Sequence, residues 1–224
     1  MKSTQNKKKS GTFSFQVKVF SIMLFVFIVC SIGACKKDSI SLTPTPPAVA
    51  ENKDKVPDQP NIKHTDLHQL VAIGAADGTQ ETKIDINSDG TYDVSAQIYR
   101  SAGSLNLYFV SNTGNKVSTG LNYLVRGYGA ESLISLSTQN WEGYGDICRV
   151  GFTLQNVPVI TTSITPDVDS YLGVKIMKDN KDYYAWIRFK FIVYTGAANG
   201  AIIEIKDCAY EQTQGYGIRT GNTF

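Results

Sequence analysis

The sequence has few of the residues that metal and thiol enzymes use. It holds two histidines, His64 and His68, and four cysteines, of which Cys30 and Cys35 lie in or beside an apolar leader. The histidines are four apart, but a zinc-protease helix requires Glu directly after the first one, where Thr65 stands. With no third histidine, zinc chemistry at this pair is disfavoured.

Motifs of other enzymes are missing too. The chain has no G-x-S-x-G elbow and no glycine loop that follows a strand and opens a phosphate-binding helix. Glycosidase carboxylates come from separate strands and leave no local signature. A carbohydrate-active enzyme therefore stays an alternative to a protein without catalytic activity, and its pool of acids is Glu131, Glu142, Asp146 and Glu204.

The chain also lacks a surplus of positive charge. It has 22 basic and 20 acidic residues, and five of the lysines but no acid lie in the first 35 residues. Without that segment the formal charge changes from +2 to −3. Nucleic-acid binding relies on clustered Lys and Arg that neutralise phosphates, so a nucleic-acid partner is excluded.

The amino-terminal segment has the order of a secretory signal. Lysines precede an apolar run of 16 residues, Val19 to Ala34, and Cys35 follows at once. A helix needs roughly 20 apolar residues to span a bilayer, so residues 1–34 are predicted to be a signal peptide. The I-G-A-C sequence that ends at Cys35 resembles a bacterial lipobox, which implies a covalent lipid on Cys35 and attachment to a membrane. An uncleaved anchor, or cleavage that leaves Cys35 unmodified, is the alternative.

Residues 35–62 are predicted to be the lipidated cysteine and a disordered tether. Five of the seven prolines lie here, with almost no large apolar residue to offset the entropy of ordering. The leader, cysteine and Thr/Pro tether resemble those of Bacteroidetes-type lipoproteins, which implies the outer membrane of the cell envelope. Only Asp38 follows the cysteine closely, so the periplasmic and surface faces both stay open.

Residues 63–224 are predicted to form one all-β domain. Short apolar runs alternate at period two between clusters of Gly, Asn, Asp and Ser. The clearest run, Tyr183 to Tyr194, places Ile187 and Phe189 on a core face, and Trp186 and Arg188 on a face toward solvent or a ligand. The pattern is typical of an antiparallel β-sandwich or jelly roll.

The turn from Asp85 to Asp93 is the most chemically specific segment. Oxygen-bearing side chains at alternate positions, with Gly90 at the bend, match the first half of a calcium-binding EF-hand loop. Ala96 stands where the bidentate Glu belongs, so a metal-free Asp-Gly hairpin is the alternative to a structural Ca²⁺ site. The predicted ligands are Asp85, Asn87, Asp89, the Thr91 carbonyl and Asp93.

Aromatic loop residues are the candidates for binding a ligand. All twelve tyrosines follow the tether, and exposed flat rings stack on sugars and anchor interfaces. The predicted ligand-binding residues are Tyr128, Trp141 and Tyr144, although such rings also suit the core of a sheet.

A disulfide between Cys148 and Cys208 is the remaining covalent prediction. The exported domain holds only these two cysteines, and an oxidising compartment would allow them to pair. Cys208 is out of phase with Ile205, so facing side chains require a bulge near Asp207, and free thiols are the alternative.

Three segments together resemble a family of secreted bacterial β-domains: DINSDGTYDV, YYAWIRFKF and IIEIKDCAYEQTQGYGIRTG. That family has an acidic D-x-N-x-D-G-x-x-D turn and a closing strand that ends in Ala-Tyr-Glu. Ala185 departs from its pattern, which has glycine before the Trp, and the middle of the chain is not matched. The family has no established activity, so the resemblance implies the fold and an extracytoplasmic location only.

The sequence thus predicts a lipid-anchored, extracytoplasmic binding module without catalytic activity. The first predicted partner is a polysaccharide, either a glycan or matrix. The alternatives are the carbohydrate-active enzyme above and a structural subunit that pairs with envelope proteins through a sheet edge.

Overall fold

The computed structural model describes residues 56–58, 60–138, 140–152, 158–194 and 200–224. The predicted signal peptide, Cys35 and most of the predicted tether lie outside the described residues. Within the described ranges, no helix is both long and apolar enough to cross a membrane.

The described part of the chain is built from short strands joined by turns. Two single-turn 3₁₀ segments, Leu121–Tyr123 and Leu136–Thr138, interrupt the strands. The strands are β1 (Ile62–Ile73), β2 (Gly78–Ile84), β3 (Val94–Ser101), β4 (Ser104–Ser111), β5 (Lys116–Thr119), β6 (Gly127–Tyr128), β7 (Leu133–Ile134), β8 (Asn140–Glu142), β9 (Tyr144–Phe152), β10 (Pro158–Thr162), β11 (Ser170–Lys178), β12 (Lys181–Tyr194), β13 (Gly200–Glu211) and β14 (Ile218–Arg219).

Two antiparallel sheets pack against each other, so the all-β sandwich prediction is confirmed. The seven-stranded sheet has the order β1-β13-β12-β11-β5-β8, with β6 paired to β11, and the five-stranded sheet has the order β10-β9-β4-β3-β2. The side chains between the sheets alternate along each strand as period two requires. They include Ile84, Ile98, Leu107, Phe109, Val174, Ile187, Phe189 and Ile203, all fully buried.

The outer face of β12 is partly covered. Tyr184 and Trp186 are only 1% exposed and form a second buried cluster with Ile134 of β7 and Ile218 of β14, two short strands that pair with each other. The prediction that this face of the strand meets solvent or a ligand is therefore wrong at Tyr184 and Trp186. Covering elements that are distant in sequence cannot be seen in the alternation of one strand.

A β-bulge in β13 turns Cys208 toward the core. The register of β12 against β13 shifts so that Lys206 is passed over, between the pairs Phe189–Ile205 and Arg188–Asp207. The shift reverses the phase of the strand and brings Cys208 into the core that contains Cys148. Both are free thiols, so the predicted disulfide is not formed, and burial raises the pKa of each to about 12.

Candidate functional site

The acidic turn is held from inside by one of its predicted metal ligands. Asp93 is 4% exposed, and its Oδ2 accepts hydrogen bonds from the backbone N–H groups of Ile86 at 2.9 Å and Asn87 at 3.4 Å. Asn115 Nδ2 donates to Asp93 Oδ1 at 2.9 Å. Burial raises the pKa of the Asp93 carboxyl, and the nearby Asp89 adds to the effect, although the three hydrogen bonds act against it. Asp93 thus has a structural role that the sequence analysis missed.

The other predicted ligands order the exposed end of the turn. Asp85 accepts hydrogen bonds from the backbone N–H groups of Asp89 at 3.2 Å and Gly90 at 2.8 Å. Asn87 Oδ1 accepts one from Asp89 N at 2.9 Å, and Asp89 Oδ1 accepts one from Thr91 N at 2.9 Å. Because Asp93 faces inward, these residues do not assemble the six to eight oxygens of a complete calcium shell. Calcium at this turn stays a prediction.

Two of the three predicted ligand-binding rings contribute to the second buried cluster. Tyr128 is 9% exposed, and burial raises the pKa of its hydroxyl to about 12. Trp141 packs against the second cluster, with its ring centroid 5.8 Å from that of Tyr184 and its indole Nε1 buried. Tyr128 lies in β6 and Trp141 in β8, and both strands belong to the seven-stranded sheet. Tyr128 is buried there, whereas Trp141 is half-buried. The prediction of an exposed binding ring is therefore wrong for Tyr128, whereas ligand binding by Trp141 stays a prediction.

Tyr144 is different, because it forms an exposed platform with a second tyrosine. Its ring stacks on that of Tyr123 with a centroid separation of 5.3 Å and an interplanar angle of 16°. Tyr144 is 42% exposed and Tyr123 is 48% exposed. Two parallel rings that stay open to solvent offer a flat apolar surface.

The turn that carries Tyr123 has a strained backbone. Asn122 and Tyr123 have φ values of 57° and 60°. Residues other than glycine rarely adopt this left-handed backbone conformation, and bulky residues adopt it least of all. The turn is fixed to β9 because Val125 N–H donates to the Asp146 carbonyl at 2.8 Å and Arg149 Nη2 donates to the Asn122 carbonyl at 3.3 Å. Such strain persists only where the surroundings enforce it. The platform is therefore built in advance of any ligand.

Polar groups surround the platform on the outer face of the five-stranded sheet. An open hollow of about 320 Å³ is lined by Asn106, Tyr108, Tyr144, Asp146 and Arg149. Arg149 forms an ion pair with Asp146, in which its Nε donates to Oδ2 at 3.0 Å. Partial burial raises the pKa of Tyr108, and nearby charges, that of Asp146 among them, add to the effect. The hollow thus combines flat rings with donors and acceptors, as a site for a polar, ring-shaped ligand requires.

The acids of the enzyme alternative are distributed over different parts of the fold. Asp146 lies in the five-stranded sheet, whereas Glu142 in β8 and Glu204 in β13 belong to the seven-stranded sheet. Glu204 pairs with Lys190 at 3.5 Å, and Glu131 lies in a loop with φ of 62°. Asp146 and Glu204 therefore lie in different sheets, and their strands, β9 and β13, do not pair with each other.

A charged cluster lies on the outer face of the seven-stranded sheet, beside the bulge. Asp207 is 5% exposed and accepts hydrogen bonds from Arg188 Nε at 2.9 Å and Nη2 at 2.7 Å, while His64 Nε2 lies 3.2 Å from its Oδ2. His64, Asp66 and Asp207 could offer three ligand atoms within 4.8 Å of one another. Because the Arg188 fork already engages both Asp207 oxygens, we assign this cluster to the stability of the sheet. The sequence pattern singled out His64 only as a partner of His68 and did not place it beside Asp207.

Comparison with known proteins gave no match to a family model, a curated protein or a solved structure.

Proposed function

We propose that this protein is a non-catalytic carbohydrate-binding module that binds its glycan on the outer face of the five-stranded sheet. The observation that carries the proposal is the exposed Tyr123–Tyr144 platform beside Asn106, Asp146 and Arg149. Sugar rings have apolar faces that stack on aromatic rings, and hydroxyl edges that exchange hydrogen bonds with amides, carboxylates and guanidinium groups. The platform and its polar border provide both kinds of contact.

The leader and tether suggest where this module works. We propose that Cys35 carries the lipid and that the tether holds the domain off the outer membrane, on its periplasmic or surface side. Several acyl chains, each contributing about 0.8 kcal/mol per buried CH₂, anchor a protein without a membrane-spanning helix. A glycan bound by such a module is thereby kept close to the envelope.

Removal of one platform ring tests the proposed function. We expect Tyr144→Ala to weaken glycan binding by up to about tenfold, because the loss of a stacked aromatic contact costs up to about 1.5 kcal/mol. The measurement is retention of the full-length protein, in detergent micelles, on a broad glycan array.

The matched control is Tyr194→Ala. Tyr194 ends β12 in the seven-stranded sheet and is also 42% exposed, so its removal deletes equal exposed aromatic surface outside the site. Equal losses in the two variants, or no retention of the unchanged protein on any glycan, would contradict the proposal.

A further inference from the structure

The platform is one end of a longer stripe of tyrosines. Tyr99 in β3 lies opposite Asn106 in β4, Tyr108 follows two residues along β4, and Tyr144 in β9 lies opposite Val110. The three tyrosines are therefore diagonal neighbours on three adjacent strands, and each step is roughly 7 to 8 Å. The stripe crosses the sheet obliquely and ends on the platform.

Both ends of the stripe are open. Tyr99 is 41% exposed at one end and Tyr123 is 48% exposed at the other. From Tyr99 to Tyr144 the stripe covers about 15 Å, which is longer than a single sugar ring. Such a surface suits the interior of a chain, because several rings can stack in succession and the chain can continue past either end.

The charges beside the stripe are paired with one another. Lys83 Nζ lies 3.8 Å from Glu81 Oε1 on β2, and Arg149 pairs with Asp146 on β9. Gln97 in β3 pairs with Glu81 in β2 on one side and with Tyr108 in β4 on the other. Its Nε2 donates a hydrogen bond to Glu81 Oε2 at 3.2 Å. An acidic polysaccharide would need cations that are not already matched by carboxylates. The two bases beside the stripe are each matched by an acid, and this balance favours an uncharged polysaccharide chain as the ligand.

Resting on the proposed function, we infer that the ligand is a linear, uncharged polysaccharide that lies obliquely across the five-stranded sheet along Tyr99, Tyr108, Tyr144 and Tyr123. Asn106 lies beside this line and can exchange hydrogen bonds with sugar hydroxyls. The site recognises the flat faces and hydroxyl edges of successive rings, and not the end of a chain.

Chain length and charge separate this inference from the proposed function. The full-length protein, in detergent micelles, is applied to an array that carries neutral and uronic-acid chains of one, two, four and six units. We expect retention on the neutral chains to rise with length. Equal retention of one and six units, or preference for uronic-acid chains, would overturn the inference but leave glycan binding intact. No retention on any sugar would overturn both.

Substitution at the far end of the stripe gives a second readout. We expect Tyr99→Ala to weaken binding of six-unit chains about tenfold and to change binding of two-unit chains by less than about twofold. Tyr99→Thr, which keeps a β-branched residue in the strand, repeats the test if the alanine variant is unstable. Tyr194→Ala is again the control, and a six-unit affinity that is unchanged by both Tyr99 variants would contradict the stripe.

Discussion

Asp93 shows how one buried carboxylate determines the shape of the acidic turn. Its two oxygens hold the backbone of Ile86 and Asn87 and the side chain of Asn115. Removal of the carboxylate leaves those N–H groups without their partner in a buried position. Each buried donor that loses its partner costs about 1 to 3 kcal/mol. The residue is therefore important for stability whether or not a metal binds nearby.

The raised pKa of Asp93 predicts a pH dependence of stability. The folded protein binds this proton more tightly than the unfolded chain, whose carboxyl titrates near 3.8. Stability from this group is therefore fully present below pH 3.8 and falls as the pH rises through the folded-state pKa. We expect Asp93→Asn to remove this part of the pH dependence, measured by urea unfolding in EDTA across the acidic range.

The same carboxylate-to-amide change at Asp179 is the control, because that residue is exposed in the turn between β11 and β12. If Asp93→Asn and Asp179→Asn have the same pH profile as the unchanged protein, the Asp93 carboxyl does not titrate differently on folding.

At the residue scale, the sequence identifies aromatic candidates but does not rank them. Trp141 and Tyr144 are three positions apart in one glycine-rich loop, and local composition treats them alike. The structure buries the indole nitrogen of Trp141 and exposes Tyr144, because β8 and β9 belong to different sheets. Tyr123, the partner of Tyr144, was missed, and the signal that could have indicated it is weak: an exposed Leu-Asn-Tyr turn after Gly120.

At the scale of elements, the turn between β2 and β3 remains the candidate for a cation. If Ca²⁺ binds there, we expect weak affinity, about 10⁻⁴ to 10⁻³ M, because Asp93 faces away and the shell lacks a bidentate Glu. Binding only to the folded state raises the unfolding temperature with calcium concentration. We expect Asp85→Asn to abolish that increase and Asp179→Asn to leave it unchanged, measured by thermal unfolding in calcium and in EDTA. Identical melting in the two buffers would identify the turn as a metal-free hairpin.

The alternation of apolar residues predicted most strands because one face of each strand packs between the sheets. Tyr183 to Tyr194 falls within β12, and the core residues Leu105, Leu107 and Phe109 fall within β4 as the pattern requires. The bulge at Lys206 was only a condition in the sequence analysis: Cys208 is out of phase with Ile205, so it faces the core only through such a shift, which the structure shows. The sheet order could not be predicted, because β1 pairs with β13 across most of the chain and no local pattern encodes that pairing.

The edge strands bear on how the domain associates with other proteins. β1 is a twelve-residue strand at the edge of the seven-stranded sheet. Its register shifts between Asp66 and Gln69, and His68 has φ of 48° at that point. Bulges and charged side chains are the features by which natural sheets discourage pairing with another chain. The edge therefore gives less support to an assembly subunit than the tyrosine stripe gives to glycan binding.

At the scale of the whole molecule, a count of reactive thiols tests the predicted lipid anchor and the free cysteines together. Cys148 and Cys208 are fully buried, and a pKa of about 12 keeps them protonated, so neither reacts with a thiol reagent in the folded protein. If the predicted processing takes place, Cys30 leaves with the signal peptide and acylation blocks Cys35. For protein purified from membranes, we therefore expect no reactive thiol in the folded state and two after unfolding in denaturant, measured by mass spectrometry after alkylation. One reactive thiol in the folded protein would mean that Cys35 is unmodified, and no increase on unfolding would mean that Cys148 and Cys208 form a disulfide. Because the folded count reports on Cys35 and the increase on unfolding reports on Cys148 and Cys208, neither result can conceal the other.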